Sequence, residues 1–565
     1  MMVAKFHHFL LFTALLLFGI ACKKSPANHS EIAQEVTDTL SKRYPVPQTD
    51  SVSIRLFLAN HPGLQEQESN MLAYYSGRQF SYAWFHEIGL NEQSGFFINL
   101  LHNLGDEGIS DTLQYLQRTE FIYNLISSPG YPYRGADSLT HELEMLLSAQ
   151  FFLYADRVWN GLHEEKTKSL EWHIQRKNIP YTSMLDSLLL RGPQAFNEGH
   201  PVYRQYYLLR DALKAWRPLA TADWPALSLP EDVSSYSLGD SADVIAAMQE
   251  RLRILGDLDS GYRQGMVDSL TYWGIIHFQS RHGLSSDGKA GKQFFRQLNV
   301  SPAERMRQIE VNMERCRWVP IEQAGNRIMV NIPEFMLYVY EADSIAFSMP
   351  IIVGTASNST IIFNDELEYI VFSPYWVVPP SIIQEEIVPA VVKNSRYLSQ
   401  HHMEVYSHST NQVIASESIA WSNYVGKKFP YGIRQLPGAH NSLGWVKFVF
   451  PNQYYIYMHD TPSRNLFANT QRSYSHGCIR LSDPVKLANY LLSSDSSWTG
   501  SKIDSVMHGG VETYVALDQK MPVFIAYFTA WVDAQGVLQF RDDLYNHDEP
   551  LKELLSGDTP TLSRK

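Results

Sequence analysis

Tyr457-Met-His-Asp-Thr-Pro462 and, after a polar loop, Ser475-His-Gly-Cys-Ile-Arg-Leu481 are the stretches on which the reading of this chain turns. Tyr454 to Met458 alternates as a strand and would hold His459 at a rigid strand end, while the loop through Asn465 to Ser473 carries Cys478 back against it. A thiol with a pKa near 8.5 is only about 3% thiolate at neutral pH, so a nucleophilic cysteine needs an imidazole or a cationic setting beside it. His459 can supply that, and base assistance of this kind is typically worth roughly a hundred- to ten-thousand-fold in rate. Gly477 lets the backbone turn tightly, so that adjacent amide N–H groups can face the oxygen of a tetrahedral intermediate. The imidazole needs a partner that fixes its tautomer, and the backbone carbonyl of Asp460 is favoured over the Asp460 side chain for that task.

Outward from this stretch, short runs rich in β-branched and aromatic residues begin at Arg327: Ile328 to Ile332, Met336 to Tyr340, Phe347 to Val353, Tyr369 to Phe372 and Val446 to Phe450. With proline and glycine between them they predict a sandwich or barrel-like sheet assembly over residues 327–548, followed by a tail, 549–565. Residues 381–430 break the strand pattern with helical and mixed spacing and are read as an inserted lid. Ser301-Pro-Ala-Glu304 opens a connecting helix over 301–326, with an N-cap, a proline at the first helical position and a capping-box glutamate. Residues 237–300 form a compact helical unit: Val244, Met248, Leu252 and Leu255 at helical spacing, then Gly256, then Leu270, Trp273, Ile276 and Phe278, closing on Asp287-Gly-Lys-Ala-Gly291. Residues 49–236 read as helices at three- and four-residue spacing with no recognisable chemistry of their own, a scaffold or interaction domain.

At 565 residues the chain is too long for one core. Its 44% hydrophobic content, 32 Tyr, 27 Phe and 12 Trp are those of a globular protein rather than a disordered one. A net charge of -12 without long basic blocks sets nucleic-acid binding aside. Lys5 followed by an apolar run from Phe9 to Ala21 is an export signal, too short for an ordinary membrane span (residues 1–22, then a linker, 23–48). Gly19-Ile-Ala-Cys22 looks like a lipoprotein processing site, with Gly19 where leucine is usual, so Cys22 is expected to carry a lipid anchor and the protein to be periplasmic. Cys316 and Cys478 could then pair in an oxidising compartment, although Cys316 reads as a half-buried packing residue.

The motif Ser475-His-Gly-Cys-Ile-Arg480 preceded by His459 resembles the signature of the L,D-transpeptidase (YkuD-type) catalytic domain. Val330-Asn-Ile-Pro333, Ile352-Val-Gly354, Pro374-Tyr-Trp-Val-Val-Pro-Pro-Ser381, Arg434-Gln-Leu-Pro-Gly438, Asn441-Ser-Leu-Gly444, Lys447-Phe-Val-Phe-Pro-Asn452 and Tyr527-Phe-Thr-Ala-Trp531 are similar to the large, YcbB-type members. Residues 247–291 resemble the small peptidoglycan-binding domain of wall enzymes. The resemblance implies a multidomain α+β chain: a helical scaffold, a small three-helix peptidoglycan-binding domain and a mainly-β catalytic domain with an inserted helical lid. It implies that Cys478 attacks the bond between the L-centre of diaminopimelate and a terminal D-Ala of a tetrapeptide stem, that His459 takes the thiol proton, and that a second diaminopimelate amine resolves the thioester. Tyr457, His476 and Arg480 are implied to line the site, and Ser475, Trp376, Arg434 and Asn441 join the substrate-binding set. Carbapenems should acylate Cys478. No cofactor is implied; the partners are peptidoglycan stem peptides and, through Cys22, a membrane, and no nucleic acid. Asp460 stands where smaller members often have glycine, which leaves the role of its carboxylate open.

Four rival readings stand beside this one. Zinc ligation by His459, Asp460, His476 and Cys478 is opposed by their spacing, since no second close pair follows. A papain-like arrangement needs the cysteine first and its histidine far downstream, the reverse of the order here. The nucleophile could also pass its acyl group to water or to a protein lysine, or the chain could be a non-catalytic wall-binding lipoprotein; sequence leaves the acceptor open because groove shape selects it.

Overall fold

The strand runs read from Arg327 onward close into a ring. In spatial order they are Val446–Val449, Met458–His459, Ile479–Leu481, Ser344–Gly354, Met336–Glu341, Arg327–Asn331, Thr513–Ala526 and Ile362–Phe372, and Ile362–Phe372 pairs back onto Val446–Val449. The computed structural model describes residues 45–109, 113–198, 202–320, 325–342 and 344–556. The export segment and Cys22 lie outside the described residues. Alternation fills the ring: Ile328, Val330, Leu337, Val339, Ile351, Val353, Ile370, Phe448, Met458 and Ile479 are all buried in one cluster.

The predicted strand over Tyr454 to Met458 is shorter than expected. Only Met458–His459 is strand, and Tyr455 takes a left-handed φ of 57°. The cause is Asn452, whose Oδ1 accepts from the Tyr454 and Ile456 amides at 3.0 and 3.2 Å and bends the backbone out of the ladder.

The insertion is mixed rather than helical alone. Its helical turns between Pro380 and Gln400 pack on a separate four-stranded sheet, in the order Trp376–Val377, Gly432–Gln435, Met403–Tyr406, Val413–Ile414. The sheet's first and last strands in the chain fall outside 381–430. The insertion has its own apolar cluster, with Val388, Val405 and Ile433 at its centre.

The peptidoglycan-binding-like unit also has its own core, built by helices Asp243–Ile254, Ser269–Arg281 and Lys292–Leu298. Gly288, at φ 69°, lies where a Cβ would run into the Tyr272 ring, so this turn requires glycine.

The scaffold, by contrast, shares one continuous core with the barrel. Its helix Ser138–Ala155, opened by Asp137 accepting from the Thr140 amide at 2.8 Å, is buried over most of its circumference. Scaffold residues Trp172–His173 pair in parallel with Ile362 and Phe363, on the edge of the long Ile362–Phe372 strand that Val446–Val449 leaves open.

Helix Pro302–Trp318 does more than connect. Its capping box is formed by Ser301 and Glu304, and its body is buried among the scaffold, the barrel and the C-terminal helix Asp548–Ser556. Residues 548–556, most of which the sequence placed in the tail, are held there by Arg315–Asp548 at 2.6 Å and by buried Leu551. Cys316 is fully buried in this helix rather than half-buried, burial pushes its thiol well up, and neither Cys316 nor Cys478 is in a disulfide.

Candidate active site

The strand that follows Cys478 and the strand that ends in His459 are parallel neighbours, with Met458 opposite Ile479 and His459 opposite Arg480. Met458 and Ile479 point into the core, so alternation turns Tyr457, His459, Cys478 and Arg480 to the other face. Cys478 is therefore level with Tyr457, and His459 is its diagonal neighbour one pleat along. The sulfur is held by three groups of the preceding loop: the Tyr457 N–H, the Tyr457 phenol and the Tyr455 carbonyl, which accepts from the thiol at 3.8 Å.

His459 Nδ1 lies 2.5 Å from the Asp460 carbonyl. A carbonyl can only accept, so Nδ1 carries the ring proton and Nε2 keeps its lone pair. The Asp460 carboxylate is engaged elsewhere, accepting from the Trp445 amide at 2.9 Å and from Arg464 at 2.5 Å. The part of Asp460 placed against the imidazole is therefore its main-chain carbonyl.

The turn before the thiol is built by Ser475 and Gly477. Gly477 has φ 110°, and Thr360 Oγ1 donates to its carbonyl at 2.7 Å. Ser475 Oγ donates to the Cys478 carbonyl at 2.6 Å and accepts from the Gly477 N–H at 3.1 Å. The Gly477 amide is engaged by Ser475, so what glycine contributes at this point is its left-handed backbone, and Ser475, almost fully buried, spends its hydroxyl on the turn.

Asn441 and Arg434 are likewise given other work. Asn441 is buried and donates to the carbonyls of Pro374, Gln435 and Leu436, tying the insertion to the barrel. Arg434 is paired with Glu404 at 2.7 Å and stacks on Tyr375 and Tyr406 inside the small sheet. Trp376 sits in that sheet against the insertion's own core. His476 is half-exposed, with Nε2 3.4 Å from Glu386 in the insertion's π-helical turn Ile383–Ile387, so the insertion reaches the turn before Cys478. The sequence reading missed Tyr455, whose backbone touches the thiol, and Lys447, opposite His459 across the sheet. Tyr455 could not be found by pattern because it acts through its carbonyl, whereas Lys447 was within the quoted motif at an alternating strand position.

A family model described as "L,D-transpeptidase catalytic domain" (YkuD) matches residues 325–525, the barrel with its insertion. The chain carries an L,D-transpeptidase catalytic domain. A scaffold-domain model matches residues 69–213 and one described as "Putative peptidoglycan binding domain" matches 241–298. A Haemophilus influenzae protein described as "Putative L,D-transpeptidase" is 32% identical over 243 residues, 43% of this chain, and the match spans about half of that relative's length, 48%. Among solved structures, an L,D-transpeptidase from Stackebrandtia nassauensis is 15% identical, covering 53% of this chain and 97% of its own, with a TM-score of 0.21. One from Xylanimonas cellulosilytica is 14% identical, covering 53% and 100%, with a TM-score of 0.18. At such scores these two likenesses carry no argument.

Electrostatics in the transpeptidase domain favour a neutral pair. Burial, with Arg480 and Lys447 adding repulsion, lowers His459 to about 3. Burial raises the Cys478 thiol, opposed by its two Tyr457 hydrogen bonds and by Arg480. The resting site is thus thiol and imidazole, not thiolate and imidazolium. Accordingly, the acylation rate is expected to hold level from about pH 8 down to about pH 5, with no acid limb at the ordinary histidine value near 6.5. A stopped-flow pH profile of Cys478 acylation checks this, and a limb near 6.5 would show a solvated imidazole. The same burial has a stability sign. Between about pH 6.5 and 3 the unfolded chain binds a proton at this histidine that the folded chain does not, so this contribution to stability is lost as pH falls through that window.

Tyr457→Phe removes one donor to the sulfur. Hydrogen bonds to charged groups contribute about 1.5–3 kcal/mol, so acylation is expected to slow by roughly 10- to 100-fold as the thiolate loses its donor. Thiol titration by absorbance should show an upward shift; an unchanged titration would mean that the phenol does not serve the sulfur.

Proposed function

We propose that this chain is a cell-wall L,D-transpeptidase that joins diaminopimelate residues of neighbouring peptidoglycan stems through a thioester on Cys478. The observation that carries the reading is the single sheet face bearing Cys478 and His459, with the imidazole proton fixed on Nδ1 by the Asp460 carbonyl. As the Cys478 sulfur forms its bond to the carbonyl carbon at the L-centre of the donor diaminopimelate, the thiol proton passes to His459 Nε2. The C–N bond to D-Ala then breaks, Nε2 returns the proton to the leaving amine, and the acyl group remains as thioester. The amine of a second diaminopimelate attacks that carbon, gives its proton to Nε2, and the sulfur leaves and is reprotonated. Arg480 supports the reading from the same face: its Nε is buried without a partner among the described residues, a donor available to a stem carboxylate. The contact between Glu386 and His476 supports the insertion as a lid over the donor.

The test is intact-mass spectrometry of the purified protein after incubation with tetrapeptide muropeptides, with and without a carbapenem. An adduct on Cys478 together with dimers joined between diaminopimelates is expected. Trimmed monomers without dimers would replace transfer by hydrolysis, and no adduct with no product would leave a wall-binding protein. Export, the lipid on Cys22 and a periplasmic location belong to this proposal and are tested by membrane fractionation of wild type against Cys22→Ala.

A further inference from the structure

A cleft of about 970 Å³ opens between the peptidoglycan-binding domain and the transpeptidase domain. Ser285, Ser286, Lys289, Lys292 and Gln293 line one wall. Asn469, Thr470, Gln471, Arg472 and Tyr474 line the other, in the segment that runs through the Ser473–Ser475 strand to Cys478. Its volume is at the upper end of the range for well-formed sites, about 300–1,000 Å³.

The lining is cationic in a chain of net charge -12: Lys289, Lys292, Arg296, Arg472 and Arg541 face three carboxylates. Those carboxylates already have partners. Asp542 accepts from Arg296 at 2.7 Å and from Gln297, Glu334 from the Tyr338 phenol at 2.5 Å, and Asp287 from Gln279 at 2.8 Å. Arg472 donates to the main-chain carbonyls of Ile351, Asn469 and Phe335, and Arg541 to those of Arg281 and Phe540; Glu334 attracts both without a hydrogen bond to either, so the five cations still outnumber the three carboxylates. The rest of both walls is mostly neutral hydroxyls and amides with the partly exposed Tyr474 ring, the donor and acceptor mixture that suits sugar hydroxyls.

We propose that this cleft binds a carboxylate-bearing glycan strand, gripped by both domains at once. The proposal rests on the wall-polymer reading above and adds a joint site that neither domain has alone. Two double variants of the full chain test it: Lys289→Glu/Lys292→Glu on one wall and Thr470→Glu/Gln471→Glu on the other. All four residues are exposed, so folding is unaffected. Co-sedimentation with purified sacculi is expected to weaken by about fivefold or more in each variant, with a shallower salt dependence. Acylation of Cys478 by a small tetrapeptide without sugars should be unchanged in both. Binding that weakens only in the Lys289/Lys292 variant would confine the site to one domain and overturn the proposal, as would wild-type binding in both. If no tetrapeptide acylates even the wild type while both variants lose sacculus binding, the transferase reading fails and the cleft stands.

Discussion

Cys478→Ala is expected to abolish release of D-Ala from tetrapeptide stems while leaving sacculus binding within twofold of wild type. The sulfur is the one group on the Tyr457–His459–Arg480 face that can form the acyl bond, and alanine leaves the turn intact because Ser475 grips the Cys478 main-chain carbonyl rather than the side chain. His459→Ala should retain the acyl bond but lose the proton carrier, slowing turnover by about 10²- to 10⁴-fold. The measurement is D-Ala release by chromatography beside co-sedimentation of the same preparations. Turnover surviving in Cys478→Ala would sink the mechanism, whereas loss of both readouts would report a folding defect instead.

Arg315→Met is expected to cost about 3–5 kcal/mol of stability, the usual penalty for breaking a buried pair from one side. Arg315 and Asp548 are almost fully buried, 2.6 Å apart, and Thr529 also donates to Asp548, so the substitution strands a carboxylate in the interior. Burial already raises the Asp548 carboxyl against the pull of Arg315, and without the arginine it would rise further and fold best protonated. Urea denaturation should show a markedly lower midpoint, partly restored in Arg315→Met/Asp548→Leu, where no charge is left unpaired. A single variant within about 1 kcal/mol of wild type would mean that this helix is not the joint it resembles.

The barrel was legible because its strands are long or β-branched and their buried faces alternate, and the candidate site stood out because Gly477-Cys478 with an upstream histidine has few other uses. What hid was governed by side-chain hydrogen bonds and ion pairs that hydrophobic patterning does not register. Asn452 bends out a run whose alternation alone reads as strand. Asn441 and Arg434 stand in motifs that invite a substrate role, yet Asn441 spends its hydrogen bonds on the junction of barrel and insertion and Arg434 is held by Glu404 inside the small sheet. Helix Pro302–Trp318 reads only as a connector because periodicity registers hydrophobicity, while its burial depends on partners such as Asp548 and the Glu107 carbonyl, more than two hundred residues away. The scaffold strand Trp172–His173 is two residues long, and nothing local announces a partner at Ile362.

That short strand matters for anyone who would divide the chain. Gln175 donates to the Asn364 side chain at 2.9 Å, Trp172 packs edge-on against Trp318, and His173 and Phe363 both touch the Tyr454 ring, whose neighbour Tyr455 accepts from the thiol. A fragment starting at the barrel would leave the amide edge at Ile362 and Phe363 open to any passing strand and would release the ring that braces the loop beside the sulfur. The seam between scaffold and enzyme therefore runs through a sheet, and a minimal catalyst cut from this protein would have to bring residues 172–176 with it.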